Sequence, residues 1–213
     1  MATYDSVLVG IGNQSVDNVT MYSSRGQRLM RRKASKVTNP KTDKQMRQRA
    51  KLALLGSLAP GFADVYAVGF PSPAKGETAC NAFVSANMGA VTVDDDHTAT
   101  LNYEQLACSR DMKRKRPNVT VSFAEDAYNF TQPAQSDFYG GAKPTDLVYG
   151  VLFEKTLGES ALVPLKSRGE GGMTSFNLPD DWDSAQVMAY AFAVSDDGKR
   201  TSATVNLAIG TGD

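Results

Sequence analysis

From about residue 99 onward the hydrophobic pattern has a period of two, and this restricts the second half of the chain to β-structure. In "NVTVSFAE", Val119, Val121 and Phe123 fall on one side. In "QVMAYAFAVS", Val187, Ala189, Ala191 and Ala193 alternate with Met188, Tyr190, Phe192 and Val194. Asp197-Gly198, in "SDDGKR", is a hairpin turn signal. Strands are expected at Thr100–Ser109, Asn118–Ala124, Asp146–Phe153, Ala161–Lys166, Thr174–Leu178, Gln186–Ser195 and Thr201–Ile209. Seven short strands joined by turn-rich loops imply an antiparallel β-sandwich of the immunoglobulin or fibronectin-III type. One connection, "YNFTQPAQSDFYGGAKPT" over residues 128–145, is long and carries four aromatics. Loops of that length usually bind something or are pinned.

The first half reads differently. In "NPKTDKQMRQRAKLALLGSL", Pro40 biases Asn39 away from helix, and Thr42 with Gln45 makes a capping box. Asp43 complements the helix dipole in the first turn. Met46, Ala50, Ala53 and Leu54 form the apolar stripe, with Lys44, Arg47 and Lys51 on another face. Gly56 or Pro60-Gly61 should stop this helix. "FADVYAVGF" adds a turn or two before Pro71. A third short helix should start between Gly76 and Thr78, with Ala79, Phe83, Ala86 and Met88 inward. Residues before about 24 hold "SVLVGIG" and "NVTMYSS", which suit a hairpin or strands added to a neighbour. The expected fold is therefore mainly β with a helical N-terminal part: an extended basic arm over 1–41, a helical region over 42–98, and the sandwich over 99–213.

Charge sharpens the picture. The 213 residues have zero formal net charge, 41% hydrophobic and 22% charged residues, an ordinary globular balance. Yet Arg25 to Leu52 holds eleven Lys and Arg against one acid, Asp43. The first 60 residues carry a net +8 and the rest a net −8. Such asymmetry suggests a surface that meets phosphate or an acidic protein, and a plainly solvated helix is the alternative. "KRKR" at Lys113–Arg116 is a second cluster, placed by its charge in solvent or on a partner. The candidate contact residues are Arg25, Arg28, Arg31, Arg32, Lys33, Lys36, Lys44, Arg47, Lys51, Lys113, Arg114, Lys115 and Arg116. Dense cations without a base-reading module imply salt-dependent, sequence-blind binding. The acidic remainder of another copy is an equally good electrostatic partner.

No sequence motif points to catalysis. His97 is the single histidine, and Cys80 and Cys108 lack metal-ligand spacing and read as reduced, buried side chains. Asp94–His97 offers clustered carboxylates to a cation, but reads first as a solvated turn. "GEGG", residues 169–172, has no following helix, and no phosphate-binding glycine motif occurs. No enzyme, cofactor or metal is expected. The start has no charged segment followed by an apolar one, and no apolar run in the sequence reaches the length of a membrane span, so no membrane partner is expected.

Two stretches resemble a family. "RRKASKVTNPKTDKQMRQRAKLALLGSLAPGF", with Asn39, Pro40, Thr42, Gln45 and Arg49, is similar to the N-terminal signature of an uncharacterised domain-of-unknown-function family of Bacteroidetes and their phages and prophages. "FNLPDDWDSAQVMAYAFAVSDDGKRTSATVNLAIG" resembles that family's closing segment. "MYSSRGQ" departs from the family's Gly-rich start and Trp-Lys-Gly. The resemblance implies a phage setting and no reaction. Together these features give a non-enzymatic virion structural or assembly protein (capsid, head-associated or tail). It would form a homo-oligomer or join other virion proteins, after assembly in the host cytoplasm. A free nonspecific nucleic-acid-binding protein, and an immunoglobulin-like protein or glycan recognition module, are the alternatives.

Overall fold

In the computed structural model, residues 2–3, 15–24, 27–34, 39–136 and 138–211 are described. The chain divides into two compact units, Met1–Thr42 and Asp43–Asp213.

The first unit is a four-stranded antiparallel sheet. Its strands are β1 Ala2–Thr3, β2 Ser15–Val16, β3 Val19–Ser24 and β4 Gln27–Arg32, in the order β1-β4-β3-β2. β2 and β3 turn at Asp17, whose φ of 46° suits a short polar side chain. Within the expected extended arm over 1–41, Val19–Ser24 pairs with Gln27–Arg32 as a hairpin. Across that hairpin Met21 faces Met30, and Tyr22 faces Leu29. Opposed residues share a face, so each face has one apolar pair at its centre. None of the described side chains in residues 15–34 is fully buried.

The second unit has three layers. Helix α1, Asp43–Leu58, passes through Gly56 and stops where Pro60 opens a 3-10 turn at Ala59–Phe62. α2 follows over Ala63–Gly69 and ends before Pro71. α3, Ala79–Asn87, is capped by the Thr78 hydroxyl, which accepts from the Asn81 amide at 3.1 Å. Leu55, Ala59, Phe62, Val65 and Phe83 point into one core. Of the expected apolar stripe of α1, Met46, Ala50 and Leu54 are half-buried and Ala53 is exposed, while Leu55 is the fully buried residue. On α3, Ala82 takes the inward place expected for Ala86, which is exposed. Asp43–Gly69 bears on the expectation that no apolar run reaches the length of a membrane span. This run of 27 residues is, by length and composition alone, long and apolar enough to cross a membrane.

A hairpin, β5 Val91–Val93 with β6 Ala99–Leu101, lies against α1. The remaining strands are β7 Thr120–Ala124, β8 Ala127–Gln132, β9 Leu147–Glu154, β10 Glu159–Ser167, β11 Gly172–Asn177, β12 Val187–Val194, β13 Val205–Leu207 and β14 Ile209–Thr211. They form two four-stranded sheets, ordered β10-β9-β12-β13 and β11-β8-β7-β14. The strand content makes the protein mainly β. Not every pairing is antiparallel, because β14 runs parallel to β7.

β9 and β12 are covered on both faces, and the β12 sequence explains how. Its small side, Val187, Ala189, Ala191 and Ala193, meets Tyr128, Phe130 and Trp182 in the core shared by the two sheets. Its large side, Met188, Tyr190, Phe192 and Val194, meets the helices. Gly150 of β9 makes room for Phe130, since a Cβ there would come within 2.8 Å of the ring.

Three expected assignments change. Thr201–Ile209 is not one strand: Val205–Leu207 pairs with β12 in one sheet and Ile209–Thr211 with β7 in the other. Thr100–Ser109 is strand only to Leu101. Asn102 then caps a 3-10 turn at Tyr103–Gln105, its side chain accepting from the Glu104 amide at 3.0 Å. Beyond it a side chain replaces the ladder. The buried Asn87 amide donates to the Ala107 carbonyl at 3.0 Å, and its oxygen accepts from the Ala107 N–H at 2.7 Å. Residues 127–132, expected to be mostly loop, form β8. The turn before it uses Glu125 and Asp126 with φ of 52° and 56°, a primed turn without its usual glycine.

Candidate functional site

The cations of the basic stretch separate into two sets. Arg25 and Lys36 lie outside the described residues. Arg28, Arg31 and Arg32 all sit on β4, and Lys33 follows them, its N–H donating to the Asn18 carbonyl at 2.6 Å. Arg28 opposes Ser23 and Arg32 opposes Val19, so these two flank the Met21–Met30 pair. Arg31 occupies the other face, its guanidinium carbon 5.7 Å from the centroid of the Tyr22 ring. Each face of the hairpin therefore combines a half-buried apolar pair with one or two arginines.

The second set is used inside the body. On α1, Lys44 is exposed, but Arg47 makes three bonds: to Asp43 Oδ2 at 2.8 Å, the Val93 carbonyl at 2.7 Å and Asp95 Oδ1 at 2.8 Å. Lys51 Nζ donates to the Met88 carbonyl at 3.2 Å. These bonds fasten α1 to the β5–β6 hairpin and the end of α3. Arg47 also holds the Asp43 carboxyl below the usual carboxylate range, helped by His97, whose Nε2 is 3.1 Å from Asp43 Oδ1. The Asp94–His97 run is a structured turn. Asp94 Oδ1 accepts from the Thr98 amide at 2.8 Å, and His97 adopts φ 62°. Among the described residues no group of three or more His, Cys, Asp or Glu is arranged to hold a metal ion.

The "KRKR" cluster is not uniformly exposed. Lys113 and Arg116 are exposed, and the Lys115 ammonium lies 4.2 Å from the Tyr139 ring centroid. Arg114 turns inward, its side chain only 8% exposed, and bonds Asp146 Oδ1 at 3.0 Å. Asp146 is fully buried and also faces Arg168, whose Nε lies 3.3 Å from Oδ2. Its Oδ2 accepts the Lys143 amide at 3.0 Å. Arg168, 1% exposed, donates to Gln135 Oε1 at 2.8 Å and to the Lys115 and Arg116 carbonyls. Burial pulls the Arg168 guanidinium below the usual arginine range, and Asp146 opposes the shift. One carboxylate between two buried guanidiniums thus fixes the 133–146 loop, leaving Tyr139 64% and Phe138 37% exposed.

Sequence reasoning missed Asp146 and Arg168 because each is a single charged residue outside any cluster. The available signal was Arg168 immediately ahead of "GEGG" at a strand end. An open groove of about 750 Å³ is lined by Arg110, Ser109, Thr204, Leu106, Ala86 and Arg116, among others. Two of its polar groups are engaged with each other, Ser109 Oγ lying 2.9 Å from Thr204 Oγ1, and Arg110 pairs with Glu77 at 2.9 Å. Burial raises the Cys108 thiol far above its ordinary value, which leaves it a poor nucleophile.

A family model described as a family of unknown function, DUF6266, matches residues 11–208. No curated protein and no solved structure matches the chain. The match spans both units and the sites just described, and the chain belongs to DUF6266.

Proposed function

We propose that the protein is a non-enzymatic structural or assembly subunit of a phage-type particle, one that grips neighbouring subunits through its N-terminal hairpin and touches nucleic acid nonspecifically. The observation that carries this reading is the hairpin itself. A small sheet needs a buried face to be stable, and here the apolar pairs Met21–Met30 and Tyr22–Leu29 remain half-buried among Arg28, Arg31 and Arg32. A partner that is apolar at its centre and anionic at its rim would complete both faces. The net −8 of residues beyond 60 gives another copy that charge, and phosphate gives it equally. The resemblance in residues 31–62 and 176–210 supports the phage setting.

Replacing Arg28, Arg31, Arg32 and Lys33 with Ala tests the reading. The variant is expected to lose higher-order assembly. The slope of log affinity for DNA against log salt should also flatten, by about one for each phosphate no longer neutralised. Retained assembly would remove the hairpin from the mechanism. A monomer that binds DNA with an unchanged salt slope would favour the free nucleic-acid-binding alternative.

A second reading has its own support. The order β10-β9-β12-β13 over β11-β8-β7-β14 suits an immunoglobulin or fibronectin-III-like sandwich whose final strand crosses from one sheet to the other. At one end of it, Asp146 fixes a loop that presents Tyr139 and Phe138. Rigid loops bearing exposed aromatics suit protein or glycan recognition. Tyr139→Ala would abolish such binding and leave hairpin-dependent assembly unchanged.

A further inference from the structure

The two large sheets end in four edge strands, and three of these are guarded. β10 contains Pro164, Lys166 and a register shift between Pro164 and Ser167. Pro, Lys and irregularity are devices that stop a sheet edge from recruiting another strand. β13 pairs over only three residues. The chain just before β13 is held by Arg114, bridged to Ser202, and by Thr204 Oγ1, which accepts the Cys108 and Ser109 amides. β14 is three residues long.

β11 is different. Its six residues, Gly172-Met173-Thr174-Ser175-Phe176-Asn177, contain no charge and no proline. They pair with β8 in unbroken register, and β11 ends its sheet, so among the described residues no strand pairs with its second edge. Gly172, Met173, Ser175 and Asn177 are exposed, Met173 at 63%. The adjoining outward positions, Thr120, Ser122, Asn129 and Thr131, are also uncharged.

We propose that the free edge of β11 pairs antiparallel with β11 of a second copy, about a two-fold axis, to make one continuous eight-stranded sheet. The absence of charge selects this partner. A two-fold axis sets each residue near its own mate, so any charge close to the axis would face itself. The axis passes beside Ser175. That register opposes Thr174 to Phe176, a favourable β-branched–aromatic pair, and Met173 to Asn177. Backbone hydrogen bonds along the edge supply the affinity. This interface adds to the hairpin interface proposed above. It shares with that reading only the requirement that the protein self-associates.

The test uses the full-length chain and light scattering. Ser175 is exposed and its hydroxyl meets only the Asn129 side chain among the described residues, so substitution there spares the core. Ser175→Lys and Ser175→Glu should each halve the wild-type mass, by setting like charges across the axis. An equimolar mixture should restore it, by setting opposite charges there. Circular dichroism melts establish that both variants fold. The proposal is overturned if either folded variant keeps the wild-type mass, if the mixture does not recover it, or if the wild-type chain stays at 22.9 kDa at high concentration. The Arg28, Arg31, Arg32 and Lys33 variant reads the hairpin separately. Absence of its effect with the Ser175 effect intact would sink the hairpin reading alone.

Discussion

Asp146 is the residue on which the loop end of the body depends. It is fully buried between Arg114 and Arg168, and its removal leaves two guanidiniums with no countercharge. Asp146→Asn is expected to destabilise by about 3–5 kcal/mol, read as a lower urea midpoint with an unchanged slope. A change below about 1 kcal/mol, the worth of a surface pair, would mean the cluster is solvated. Asp43 makes an acid-side prediction. Its folded pKa lies below 3.8, chiefly through the Arg47 hydrogen bond. A depressed carboxylate pKa contributes stability that is present above 3.8 and is lost as pH falls through the folded value. Melting temperatures of wild-type and Asp43→Asn protein should therefore converge at strongly acidic pH. Divergence there would contradict the assignment. The thiols give a third readout. Cys108 is buried with a raised pKa while Cys80 is half-buried, so a disulfide reagent should modify at most Cys80 until the protein unfolds. Labelling of Cys108 in the folded protein would contradict its burial.

At the scale of elements, β12 holds the sheets and helices together. Ala191 sits on its small side and Tyr190 on its large side, where the hydroxyl donates to the Tyr103 carbonyl at 2.8 Å. Ala191→Leu should cost about 1–3 kcal/mol by overpacking. Tyr190→Phe should cost about 1 kcal/mol, the worth of one buried hydrogen bond. Equal effects in denaturant titrations would argue against the division of labour between faces. β12 was legible in the sequence because small and large residues alternate strictly along it. The helices were legible through Pro40, Thr42 and the Pro60-Gly61 break. β8 was not, because Glu125-Asp126 makes a tight turn without the expected glycine. The 102–109 segment was misread because its alternation imitates a strand, while Asn87, far away in sequence, supplies the pairing. Of the candidate cations, Arg47, Lys51 and Arg114 look identical in sequence to their neighbours. Only the fold separates cations that tie elements together from cations left at a surface.

For the whole molecule, the division at Thr42 and Asp43 separates two kinds of stability. Among the described residues, every member of the two buried cores lies between Leu55 and Leu207, and none belongs to the first unit. The second unit contains both of those cores. The first has basic strands and half-buried apolar pairs, the makings of an interface more than of a core. On the proposed function, the cations of β4 serve assembly, while Arg47 and Lys51 serve the fold by tying α1 to its neighbours. The most direct test is the solution mass of the full chain beside that of a chain beginning at Asp43, with absorbance at 260 and 280 nm recorded together. The account predicts that the full chain forms a discrete assembly well above 22.9 kDa, while the shortened chain keeps its melting temperature and falls to no more than the β11-paired dimer. An excess of 260 nm absorbance confined to the full chain would assign nucleic acid to the hairpin. A full chain that runs as a monomer, or a shortened chain that assembles as far as the full one, would contradict the account.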